Sequence, residues 1–165
     1  MKINLDPIPL SSKPVLRQLL ELYLYDFSQY DLADVNEHGH YGYDYLDHYW
    51  TEPGRHPYFI KIDDQLAGFV LINSYSVVLE MGTAKSVGEF FVMRKYRGKG
   101  VGTAAALETF AKFPGRWEVR QFGANEPSKI FWEKVIGTYT HGQFKKQTIL
   151  SEDGEEQVLT FDNSH

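Results

Sequence analysis

The chain has 165 residues, 42% hydrophobic and 24% charged, a composition that suits one folded domain over residues 1–165 and excludes a disordered chain. Its 17 Lys and Arg against 22 Asp and Glu give a formal charge of -5, which argues against nucleic-acid binding through phosphate contacts; with no cysteine, disulfides, thiolate nucleophiles and cysteine zinc sites are excluded. MKINLDPIPLSSKP lacks the apolar run of a secretory signal and no stretch approaches membrane length, so a cytoplasmic protein without membrane attachment is expected.

Val15, Leu16, Leu19, Leu20, Leu22 and Tyr23 fall at helical spacing and predict a helix over SKPVLRQLLELYLYDFSQY, with Ser12 as cap and Pro14 in the first turn. A loop through NEHGHYG and a short second helix in YDYLDHYW follow, before TEPGRHP breaks the chain. YFIKIDDQLAGFVLINSYSVV reads as a hairpin turning at Asp63 and Asp64, and SVGEFFVM as a third, almost wholly apolar strand. Residues 100–112 switch to helical period, with Ala104, Leu107, Phe110 and Ala111 on one side and Thr109 and Lys112 on the other. RWEVRQF is a short strand. Asn125 caps a helix in EPSKIFWEKVIG, with Pro127 in its first turn and Gly137 at its end. TYTHGQFKKQTIL and EEQVLTFD form a closing hairpin around Ser151 to Gly154. The order predicts a mixed α/β sheet flanked by helices.

The chemistry concentrates where the third strand meets the next helix. Gly98, Gly100 and Gly102 allow close approach to the backbone, and Arg94, Lys95, Arg97 and Lys99 surround them with positive charge. Free N–H groups at a helix N-terminus make such a turn an anion site. A P-loop is excluded because Lys99 is followed by Gly100 rather than Ser or Thr, and a dinucleotide fingerprint because Thr103 stands where its third glycine belongs, although Glu118 lies at the distance of a ribose acid. Elsewhere, Gln18 to Gly54 contains no Lys or Arg but many acids and tyrosines, a pattern that fits either a cation-binding region or solvated helix faces over packed rings.

The spacing Arg97-x-x-Gly100-x-Gly102, together with NEPSKIFWEKVIG further on, resembles the GNAT superfamily of N-acetyltransferases over roughly residues 10–150. The resemblance implies a central mixed, mostly antiparallel sheet and acetyl-coenzyme A as co-substrate. It places the backbone of Phe91, Val92 and Met93 along the pantetheine arm, Arg97, Gly98, Lys99, Gly100, Val101, Gly102 and Thr103 at the pyrophosphate, and Asn125, Ser128, Phe131 and Trp132 beside the arm and thiol. It also makes the N–H of Val92 the donor to the thioester carbonyl. Glu89, a lone carboxylate in an apolar strand, is the candidate base for the acceptor amine; pairing with a nearby cation is the alternative. Many members carry a tyrosine where this chain has Trp132, so the acid for the leaving thiol falls to Tyr139, to water, or to nothing, and Trp132 itself can be a core ring. Tyr30, Asp31, Asp34 and Asp44 are the candidate binders of a small cationic amine such as a polyamine or aminoglycoside. His38 and His40 match no metal signature, and no metal is expected. A homodimer is compatible with this reading, and so is a non-catalytic acyl-coenzyme A sensor of the same fold.

Overall fold

In the computed structural model, which describes residues 1–164, the chain opens with β1 (Ile3–Pro7), a strand not expected from the sequence. Leu5 is the one buried residue of β1 and Pro7 ends it, a pattern tolerated because β1 lies at a sheet edge. A 3-10 turn over Leu10–Ser12 then leads into α1 (Lys13–Asp31). Ser12 makes no capping hydrogen bond, against expectation: its near-helical ψ of 8° keeps the hydroxyl from the geometry of an N-cap. The short second helix, α2, is a single turn, His48–Thr51.

Strands β2 (His56–Ile62) and β3 (Gln65–Asn73) form the expected hairpin, with Asp63 and Asp64 both at positive φ in its turn. Then come β4 (Ala84–Val92), α3 (Val101–Lys112), β5 (Arg116–Phe122), α4 (Glu126–Tyr139), β6 (Lys145–Ser151) and β7 (Gly154–Asp162). These strands make one sheet in the order β1-β2-β3-β4-β5-β7-β6, in which only β4 and β5 run parallel.

Helices cover both faces, which is why β3 is buried continuously from Ala67 to Asn73. One apolar cluster joins the sheet to α3 and α4 through Val70, Phe110, Trp117 and Trp132, and a second joins it to α1 and α2 through Leu16, Leu20, Tyr49, Phe69 and Phe91. The buried side of α3 is Val101, Ala105, Ala106, Thr109 and Phe110, rotated from the expected face. Thr109 can be buried because its hydroxyl donates to the Ala105 carbonyl at 2.8 Å. Gly137 does not end α4; the helix runs on to Tyr139 and reverses through His141 (φ 53°) and Gly142 (φ 81°), with the Gly142 N–H on the Gly137 carbonyl.

Candidate active site

β4 and β5 pair only at Ala84, Lys85 and Ser86, opposite Arg116, Trp117 and Glu118; beyond that they diverge and leave a gap. The gap-facing backbone of β4 follows from one bond. The Met93 N–H is taken by the Ala67 carbonyl at 2.8 Å, so strand alternation turns the N–H and C=O of Val92 toward the gap. The Val92 carbonyl there accepts from Arg97 Nε at 2.7 Å. Met93, expected along the same arm, has its N–H on Ala67 and its carbonyl accepting from Tyr96, so its backbone is spent within the protein.

Gly88 is an extra residue in β4: Leu71 faces Glu89 while Ile72 faces Val87. This bulge resets the alternation. Val87 packs with Phe90 and Val92 in the α3/α4 core, whereas Phe91 and Glu89 turn toward α1.

After β4, Gly98 (φ 74°) and Gly100 (φ 80°) adopt left-handed backbone, and Gly100 is the residue from which α3 starts. The first capping bond is from Ala104 N–H to the Gly100 carbonyl, so helix geometry leaves the N–H groups of Val101, Gly102 and Thr103 without intrahelical acceptors. A Cβ on Gly102 would sit 3.1 Å from the Phe131 ring, so only glycine lets α3 lie this close to α4. Arg97 and Arg94 meet Asp26 of α1 at 3.0 and 3.1 Å. At the other side Asn125 caps α4 by accepting from the Ser128 N–H at 3.1 Å.

These elements enclose a cavity of about 440 Å3. Of the expected coenzyme-side residues, Phe91, Val92, Arg97, Gly98, Gly100, Gly102 and Thr103 line it from the strand and loop, and Asn125, Ser128, Phe131 and Trp132 from α4. Lys99 is exposed and outside the lining, and the Val101 side chain is core, 1% exposed. Trp132 combines both readings, since its buried ring packs on Phe90 at 4.9 Å and lines the cavity. Tyr139 does not reach the cavity. Its ring lies on Phe110 and Phe161, and its hydroxyl accepts from Asn163 Nδ2 at 3.1 Å, two helical turns past Trp132.

A second cavity, of about 460 Å3, opens on the α1 side around Glu89. The Tyr23 hydroxyl donates to Glu89 Oε2 at 2.5 Å. Burial of the carboxyl pushes the Glu89 pKa up to about 7, while hydrogen bonding from Tyr23 and Tyr43 and the charge of Arg120 hold it back. Glu89 as a whole residue is half-buried and lines the cleft. No ion pair to Glu89 forms among the described residues, and Arg120 acts on it only through its charge. Burial and the adjacent Glu89 carboxylate push the Tyr23 phenol well above its ordinary value.

Asp31 lines this second cavity and Tyr30 the first, but Asp34 and Asp44 are exposed and line neither, so two of the four expected acceptor residues stand apart. The other acids at the cavity are Asp153 and Glu156 from the β6–β7 hairpin, which sequence reasoning missed: nothing in the residues signals that the last hairpin folds back beside β5. Arg120 was not expected, and Tyr23 was expected only as one of the tyrosines of the acid-rich region and not as the partner of Glu89, although Tyr23, Phe27 and Tyr30 share one helix face. Glu118, at the spacing of a ribose acid, is fully buried and accepts the N–H groups of Val77, Val78 and Leu79 at 2.7, 2.9 and 3.0 Å, which makes it a clasp for that loop.

Among the described residues no group of three or more His, Asp or Glu is arranged to hold a metal, and no helix is long and apolar enough to cross a membrane. Residues 16–138 match the acetyltransferase (GNAT) family. No curated protein matches the sequence. Among solved structures, an acetyltransferase from Thermus thermophilus superposes with a TM-score of 0.68 at 15% identity, over 98% of this chain and 97% of its own. The aminoglycoside acetyltransferase AAC(6')-Ib in complex with coenzyme A gives 0.65 at 12% over 98% and 95%. The ribosomal-protein-S18-alanine N-acetyltransferase of Escherichia coli gives 0.64 at 10% over 99% and 96%. At these identities the likeness is one of fold.

Proposed function

The chain belongs to the GNAT acetyltransferase family, and from that premise we propose that it uses acetyl-coenzyme A to acetylate a primary amine of a small cationic acceptor by direct transfer. The observation that carries the reading is the place of Glu89: its carboxyl, with a pKa of about 7, lines the acid-lined cavity and the small junction that joins it to the cavity beside the glycine loop.

The residues present fit the coenzyme. The free N–H groups at the start of α3 and the Arg97 guanidinium would hold its diphosphate, and the gap-facing N–H of Val92, whose carbonyl is already taken by Arg97, with Asn125 and Ser128 of α4 would hold its acyl end and arm. When bound, it supplies an activated acyl group as a thioester. Val92 N–H, pointed into the gap, polarises a carbonyl placed there. Glu89 accepts the proton that an amine must lose to attack, and a pKa near neutrality suits that task. Asp31, Asp153 and Glu156 draw a cation toward it, with Phe27 and Phe122 as apolar walls. AAC(6')-Ib, a structural neighbour, is an aminoglycoside acetyltransferase, which agrees with a polycationic acceptor.

Ser128 is the one α4 hydroxyl in the lining near Trp132, Tyr139 being turned away; the phenols at this cavity, Tyr23 and Tyr30, come from α1, with Tyr23 donating to Glu89, and the absence of a phenol on α4 favours a second reading, a coenzyme-binding sensor. Thermal unfolding with acetyl-coenzyme A, followed by a thiol-release assay over a panel of diamines, polyamines and aminoglycosides, separates the two. Stabilisation with turnover supports the enzyme, stabilisation without turnover on any amine supports the sensor, and no stabilisation at saturating ligand removes both.

A further inference from the structure

Between the diverging strands lies a third cavity, of about 90 Å3. It shares Phe90, Asn125, Ser128 and Trp132 with the cavity at the glycine loop, and Val87, Gly88, Glu89 and Arg120 with the acid-lined one. It is therefore the junction of the two clefts. Gln121 lines this junction and neither of the larger cavities.

Gln121 is 3% exposed and lies on the face of β5 that carries Trp117 and Val119, toward α4. Its Oε1 accepts from Gln157 Nε2 at 2.8 Å, across a register pair of β5 and β7. That bond orients the carboxamide, and its Nε2 is left with no partner among the described residues. Buried amide donors without an acceptor are uncommon, and one at the meeting point of two clefts calls for a ligand atom or solvent to complete it.

We infer that Gln121 sets acyl-chain selectivity: its Nε2 faces the acyl end of the donor substrate, so that an acetyl group is accepted and a longer saturated chain is disfavoured. The inference rests on the acyl-coenzyme A reading of the cleft and narrows it. The junction, of about 90 Å3, has room for an acetyl methyl with solvent still on Nε2. A butyryl tail fills that space with methylene groups and leaves the amide donor buried and unpaired, which is costly. The walls do not yield readily, because Phe90 and Trp132 are packed edge-to-face at 4.9 Å and Trp132 is itself held against Phe110.

The test is calorimetric binding of acetyl-, propionyl- and butyryl-coenzyme A to the full chain and to Gln121→Met, which keeps length but has no N–H. The wild type is expected to bind acetyl-coenzyme A at least about fivefold more tightly than butyryl-coenzyme A, and Gln121→Met to level or reverse that ratio. Gln121→Asn, which keeps the amide but withdraws it, is expected to level it too, so the result does not hang on one variant's folding. A ratio unchanged in both variants, with acetyl-coenzyme A still bound, overturns the role of Gln121. Failure of the wild type to bind any of the three overturns the coenzyme reading itself.

Discussion

Tyr23 and Glu89 lie 66 residues apart in sequence and share a 2.5 Å hydrogen bond, phenol to carboxylate, that fastens α1 to β4 beside the gap in the sheet. The bond favours the ionised carboxyl while burial opposes it, and the balance leaves Glu89 near neutrality. With Tyr23→Phe that favourable bond is removed and the Glu89 pKa rises further. The acid limb of the kcat/KM profile, expected at about pH 7 in the wild type, should then move to higher pH, which a profile between about pH 5.5 and 9 reads directly.

Glu89→Gln should lower kcat/KM by about 10² to 10⁴ while leaving the stabilisation by acetyl-coenzyme A intact, because the carboxamide cannot accept the amine's proton but does not touch the glycine loop. Unchanged turnover would remove Glu89 from catalysis.

The same carboxyl makes a stability prediction with a definite sign. Its folded pKa is raised from 4.5 to about 7, so between those values the unfolded chain has released a proton that the native one keeps. Stability contributed by this group is therefore present below pH 4.5 and is lost as the pH rises to about 7. Glu89→Gln abolishes the dependence, so the variant's melting temperature should gain on the wild type between about pH 5 and pH 8.

Asp26 competes with any anion for Arg94 and Arg97, which it holds at 3.1 and 3.0 Å at the edge of the loop cavity. Asp26→Asn should tighten coenzyme binding at low salt by roughly 1 kcal/mol or less, with the gain shrinking as salt is added. Weaker binding would mean instead that Asp26 pre-positions Arg97.

Gly100→Ala should cost about 1–2 kcal/mol in stability, since φ is 80° there, and should reduce the melting shift produced by acetyl-coenzyme A. An undiminished shift would detach the coenzyme from this turn.

For the acceptor, Asp31→Asn combined with Glu156→Gln should raise KM for a diamine several-fold, whereas Asp34→Asn and Asp44→Asn should leave it unchanged. An equal response from all four would mean that only long-range charge matters.

The features legible in the residues are those whose signal is local. Arg97, Gly98 and Gly100 mark the turn because left-handed backbone beside a helix start excludes most side chains, and Asn125 with Pro127 marks α4 because capping is decided within a few residues. Glu89 stood out as one charge in an apolar strand, whose desolvation does not depend on knowing the neighbours. Contacts that cross between elements became visible only in the folded chain. Tyr23 reaches Glu89 only because α1 packs on the face of β4 that carries Glu89 and Phe91, and Asp153 and Glu156 reach the cleft only because β7 pairs with β5. Tyr139 is withdrawn into the core by contacts with Phe161 and Asn163 from the last strand and its end. Register and strand order are settled by burying two faces of a sheet at once, a condition on the whole chain that no short stretch of residues carries.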